Sequence, residues 1–218
     1  MTDTLLATGL VVVTDRHQTS GRPLPEVINE ALGAGARVFQ LREKDLPSLS
    51  LFHLAEELLR QIEPFGGLLM INDRLDVALA AGAHGVHLAR TSLPPGVARE
   101  LLGPDHLLGV SCHDAAEVEE AEMAGADFAF LGPVFETPSK LPFGPPLGLD
   151  RFRAICRARG LPLFAIGGIS AERVPLVRAA GGRGVAVVSG VLAAPDVPAA
   201  VRALLNALQS PADPGQSN

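Results

Sequence analysis

The chain has 218 residues, 47% of them hydrophobic, and a formal net charge of −6. Such a length fits one α/β barrel, and the acidic balance weighs against a nucleic-acid or anionic-membrane partner, so any anion site must be local. With no Trp and no Tyr, the stacking platforms that single-stranded nucleic acid uses are missing, and a small ligand is the better expectation.

Apolar runs bounded by turn signals predict eight strands in chain order. They are "LVVVT" near residue 10, "RVFQLR" at 37, "LLMIN" at 68, "GVHLA" at 85, "LLGVS" at 107, "DFAFLG" at 127, "PLFAIGG" at 162 and "GVAVVSG" at 184. Between them lie stretches with helical spacing of apolar residues, among them "PEVINEALGAGA", "LSLFHLAEELLRQI", "RLDVALAAGA", "AAEVEEAEMAGA" and "AERVPLVRAAGG". Four of these stretches end on Ala-Gly or Gly-Gly just before a strand, as a left-handed helix C-cap requires. Strands apolar on both faces and joined by helices must be parallel. Eight evenly spaced units predict an α/β fold, a single (β/α)8 TIM barrel over residues 1–208, in preference to an open doubly wound sheet. The polar segment 209–218, "QSPADPGQSN", reads as a disordered tail.

Cys112 and Cys156 lack metal or CxxC spacing and read as reduced thiols. No apolar run reaches the roughly 18 residues of a membrane span, and "MTDTLLATGL" has no basic leader, so a cytoplasmic protein is expected.

Active sites of such barrels lie at the carboxyl ends of the strands, and polar residues gather there. Gln40, Arg42 and Lys44 alternate along the second strand, so they share one face. Their cations call for an anionic guest, unless Asp73 or Glu43 pairs with them in a structural network. Asn72 and Asp73 end the third strand; His87 in the fourth reads as barrel lining. His113 follows the fifth strand, ahead of a helix that Asp114 can cap, where proton transfer near neutral pH is possible. The long loop "GPVFETPSKLPFGPPLG", residues 132–148, brings Thr137, Ser139 and Lys140 as candidate ligand contacts. Gly167 and Gly168, ahead of a helix expected near Ser170, form a phosphate-binding candidate with Val188 and Ser189 of "VVSG".

The ordered set "VTD", "QLREK", "IND", "GVHL", "GVSCH", "GPVFETPSK", "AIGGI" and "VAVVSG" resembles the thiamine phosphate synthase/TenI family across nearly the whole chain. The resemblance implies the same barrel fold and two candidate activities. A synthase would couple an aminopyrimidine diphosphate to a thiazole phosphate with magnesium. It would hold the diphosphate with Gln40, Arg42, Lys44, Asn72 and Lys140, the metal with Asp73, and the thiazole phosphate with Gly168, Val188 and Ser189. Ser92 stands where that pattern supplies a second magnesium-binding aspartate, and a serine hydroxyl does not replace the charge. "RTSLP" and "FETPSK" resemble instead the TenI branch, a thiazole tautomerase that aromatises a carboxythiazole phosphate. The expectation is therefore this isomerase: no cofactor, His113 as acid/base group, and Arg42 and Lys44 steadying the carboxylate. The alternatives are the synthase, a transferase using magnesium, and a non-catalytic sensor of a thiamine intermediate. Either activity implies a small-molecule thiazole phosphate as partner; the oligomeric state stays open, a homo-oligomer included.

Overall fold

A computed structural model describes residues 1–137 and 144–210. Eight parallel strands pair in sequence order and close into a barrel, the eighth returning to the first. They are β1 (Leu10–Val13), β2 (Val38–Leu41), β3 (Leu68–Asn72), β4 (Gly85–Leu88), β5 (Leu107–Cys112), β6 (Phe128–Leu131), β7 (Leu163–Ile166) and β8 (Gly184–Val187). Each coincides with an apolar run of the sequence, and the fold is the (β/α)8 barrel expected.

The connecting helices are α2 (Leu24–Gly33), α3 (Ser48–Ile62), α4 (Leu75–Ala81), α5 (Pro95–Leu102), α6 (Ala115–Met123), α7 (Leu149–Ala158) and α8 (Val174–Ala179). Before β1 comes α1 (Thr2–Thr8), and after β8 come α9 (Ser189–Leu192) and α10 (Val197–Gln209). The glycines of the repeated turns, Gly35, Gly82, Gly125 and Gly181, all have positive φ, the conformation a residue with a Cβ disfavours. The helix expected near Ser170 begins with a 3-10 turn, Ala171–Arg173, and becomes α-helical only at Val174, where Pro175 fits the first turn. The expected tail also starts too early: Gln209 closes α10, whose Leu204 and Leu208 pack into the core. Residues 211–218 lie outside the described residues.

Alternation along the strands builds two cores. Leu10 and Val12 face the helices, whereas Val11 and Val13 face the barrel interior. The interior is filled by Val38, Leu68, Met70, Leu107, Phe128, Phe130, Phe164 and Ala186. Leu5 of α1 joins this cluster, so the chain's first helix closes the amino-terminal end of the barrel. That leaves the carboxyl end open for polar side chains. Both cysteines are free, and burial pushes the Cys112 thiol up to about 12. Among the described residues no helix is long and apolar enough to cross a membrane.

Candidate functional site

Polar side chains begin one residue pair above the apolar filling. Gln40, two residues beyond Val38 on the inner face, is buried and donates from Nε2 to Asn72 Oδ1 at 2.9 Å. That bond spans from β2 to β3 and fixes both amides at the barrel mouth. Arg42 follows, half-buried, and its guanidinium makes no hydrogen bond or ion pair with the described residues; β2 ends at Leu41, so Lys44, expected on the same strand face, stands instead in the turn after it and is exposed. Glu43 points the other way. Its carboxylate accepts from Thr14 Oγ1 at 2.7 Å and from the Arg16 backbone and guanidinium at 3.1 Å. Glu43, one of the two acids that could have paired with Arg42, is thus bound to the β1 loop.

Asp73 has a φ of 71°, a strained conformation for a residue with a Cβ, and its N–H donates to the His87 carbonyl at 3.0 Å. The Ser92 hydroxyl donates to Asp73 Oδ1 and accepts the Ala89 N–H at 2.7 Å. The corner after β4 is therefore closed onto the end of β3.

His87 lines the barrel, as the sequence suggested. Its ring lies 4.1 Å from that of Phe130, and burial, seconded by the Arg42 charge, lowers its pKa to about 3. Nε2 is 2.9 Å from Ser111 Oγ, while Nδ1 is buried with no partner. Nδ1 abuts Gly109, where a Cβ would approach it to 2.5 Å. Placing the proton on Nε2 avoids a buried unpaired N–H, so Ser111 accepts and keeps its own proton for another acceptor.

His113 stands at the rim with 42% of its side chain exposed. Its Nδ1 is 2.9 Å from Glu117 Oε2, which also accepts the His113 N–H at 2.7 Å. Asp114 caps α6 by accepting the Glu117 N–H, as expected. Arg90, from the corner that carries Ser92, reaches Glu117 at 3.7 Å.

On the opposite side of the mouth, Ile166 pairs in register with Ala186, so the loops after β7 and β8 leave the barrel side by side. Gly167 and Gly168 have φ of 91° and 64°. A Cβ would meet Pro133 at 2.5 Å from Gly167, and the Glu136 carbonyl at 2.5 Å from Gly168, so only glycine lets the loop after β6 lie this close. The N–H groups of Gly168, Ile169, Ser189 and Gly190 donate to none of the described residues. Val188 immediately precedes α9. This is a cluster of unspent donors, the chemistry a phosphate needs. Arg173, which the sequence did not single out, donates to the Gly168 carbonyl and lies over the Phe135 ring at 4.8 Å. Its signal was hidden, because an arginine in a helical first turn reads as solvent-facing. Thr137 is half-buried on the β6 loop; Ser139 and Lys140 lie outside the described residues.

Asp73 follows β3 directly and is bonded to Ser92, and among the described residues no three His, Cys, Asp or Glu side chains group as metal ligands. A family model described as thiamine monophosphate synthase (TMP-TENI) matches residues 10–191. The chain belongs to that family. A putative thiamine-phosphate synthase of Geobacter sulfurreducens is 49% identical over 196 residues, 90% of this chain and 92% of that protein. A thiamine-phosphate synthase of Moorella thermoacetica is 44% identical over 89% of this chain and 93% of its own length. Among solved structures, a thiamine phosphate pyrophosphorylase from Pyrococcus furiosus superimposes with a TM-score of 0.85 at 34% identity, covering 93% of this chain and 96% of that one. The family match spans all eight strands of the barrel.

Proposed function

We propose that the protein is a thiamine phosphate synthase, joining an aminopyrimidine diphosphate to a thiazole phosphate with departure of inorganic diphosphate. The observation that carries this reading is the presence of two separate anion-ready sides on one barrel mouth. Gln40, Arg42, Lys44 and Asn72 would take the diphosphate, with Arg42 free of any described carboxylate. Gly167, Gly168, Val188 and Ser189 would take the thiazole phosphate on backbone donors; Thr137 and Ser139 are candidate substrate contacts, and Lys140 is a candidate contact of the diphosphate. Holding two anions so placed converts an encounter of two substrates into a reaction between positioned neighbours. The names of relatives that align over nearly their full length support coupling over tautomerisation.

The donor set fits a magnesium ion at the sparse end of its usual range, since one or two carboxylates plus substrate phosphates suffice. Asp73 would hold it, with the Ser92 hydroxyl as the neighbouring oxygen. Such an ion would supply charge neutralisation to the departing diphosphate. The chain's own part is to bind and orient: the Gln40–Asn72 bond fixes two amides, Ser111 offers its proton outward, and Arg42 balances negative charge.

A second reading, the TenI-like thiazole tautomerase, is favoured by one observation, the serine at position 92. In that reading His113, oriented by Glu117, moves the proton and no metal is required. The two are separated by giving the purified protein the aminopyrimidine diphosphate and thiazole phosphate with and without magnesium, and separately the carboxythiazole tautomer phosphate. Thiamine phosphate formation supports the first; aromatisation without coupling would replace it by the second.

A further inference from the structure

Glu43 is a buried carboxylate at the rim of the site, its side chain 1% exposed, in a place where a charge is costly unless fully bonded. It is fully bonded, and every partner belongs to the β1 loop: the Thr14 hydroxyl, the Arg16 N–H and the Arg16 guanidinium. Thr14 Oγ1 in turn accepts the backbone N–H of Arg42 at 2.9 Å, and the Thr14 N–H donates to the Gln40 carbonyl at 2.9 Å. The hydroxyl therefore joins the Glu43 carboxylate to the backbone of the residue just before it. A closed loop of bonds results, running from Glu43 through Thr14 to Arg42.

Two consequences follow from strand geometry and charge. Side chains alternate at the end of β2, so turning Glu43 towards the β1 loop sets Arg42 on the opposite, mouth side, whereas Lys44 lies in the turn that follows and is exposed. The same carboxylate, with Asp45, also occupies Arg16: its two terminal nitrogens reach Asp45 at 2.6 Å each. The Arg16 guanidinium holds the Asp45 carboxyl well below the usual carboxylate range. Arg16 is thereby engaged by two carboxylates, while the Arg42 guanidinium makes no hydrogen bond or ion pair with the described residues.

We infer that Glu43 is a positioning residue for the diphosphate side of the site, acting through Thr14 and the Arg42 backbone and not by touching substrate. This rests on the synthase reading given above. It distinguishes Glu43 from a purely structural ion pair, because its loss should be felt by one substrate only.

The test uses the full chain with Glu43→Gln, which keeps the shape and the acceptor oxygen but loses the charge, and Thr14→Val, which removes the hydroxyl link at constant volume. Each is measured by steady-state kinetics with both substrates and by calorimetric titration of inorganic pyrophosphate, after circular dichroism confirms the fold. The expected result for both variants is a KM for the aminopyrimidine diphosphate raised about tenfold, weaker pyrophosphate binding, and a KM for the thiazole phosphate within about twofold of wild type. Glu43→Asp should recover part of the loss. Equal KM changes for both substrates, or pyrophosphate binding unchanged in folded variants, would overturn the assignment. If Glu43→Gln does not fold, Thr14→Val alone carries the same two outcomes. Should the wild-type chain itself bind no pyrophosphate, the synthase reading fails and this assignment with it; wild-type binding equalled by the variants sinks the assignment alone.

Discussion

The Ser92 hydroxyl donates to the Asp73 carboxylate, tying the corner after β4 to the end of β3. The bond places a neutral oxygen beside the carboxylate that would hold magnesium. Ser92→Asp would put a second negative charge against Asp73, which is unfavourable until a cation arrives. Thermal melting of the variant should therefore start a few degrees below wild type in chelator and rise steeply with added magnesium, while wild type shifts little. The magnesium concentration for half-maximal coupling should fall about tenfold. Identical magnesium responses of the two proteins would remove Ser92 from the account of metal binding.

Buried and neutral, His87 makes stability depend on pH. Its folded pKa is about 3 against an ordinary 6.5, so below pH 6.5 the unfolded chain takes up a proton that the folded chain refuses. Stability is then lost as pH falls from 6.5 towards 3, at up to about 1.4 kcal/mol per unit. Denaturant unfolding at pH 7 and pH 5 should show wild type losing about 2 kcal/mol more than His87→Phe over that interval. Parallel losses would mean the ring is protonated in the fold.

Gly168 cannot carry a side chain without moving the loop after β6, because its φ is 64° and a Cβ would lie 2.5 Å from the Glu136 carbonyl. Gly168→Ala should cost about 1–2 kcal/mol of stability. It should also raise the KM for the thiazole phosphate selectively, the mirror image of the Glu43 variants. Kinetics with each substrate varied in turn would check this, and a selective rise for the diphosphate substrate would count against the assignment of the two sides.

His113 is half exposed at the rim and bonded to Glu117. In the synthase reading His113→Ala leaves coupling within about threefold, whereas a tautomerase would lose at least about a hundredfold with its acid/base group. The variant assayed on both sets of substrates separates them.

The barrel was readable because the strands are buried on both faces and α2, α4, α6 and α8 end at glycine turns, features that leave apolar runs and Ala-Gly repeats in the chain. Two helices lack such marks: α1 shows only Leu5 and Leu6 as large apolar residues, and α9 is a single turn. The placement of much of the candidate site was readable as well, since Gln40, Asn72, Asp73 and the Gly167–Gly168 pair stand at or just past strand ends. Arg173 was not, and Glu43 was legible only as a structural partner for the neighbouring cations. Its actual partners could not be read, because only the pairing of β1 with β2 brings Thr14 and Arg16 to it. Arg173 likewise acquires its partner, the Gly168 carbonyl, only when the loop after β7 turns back. The meaning of Ser92 also needed the structure, because its bond to Asp73 depends on the neighbouring strand ends.

The most direct measurement is of thiamine phosphate formed by the purified chain from the aminopyrimidine diphosphate and the thiazole phosphate, with magnesium and with chelator. The synthase account predicts product with magnesium and little in chelator. No product under either condition, from a chain that rapidly aromatises the carboxythiazole phosphate, would contradict it.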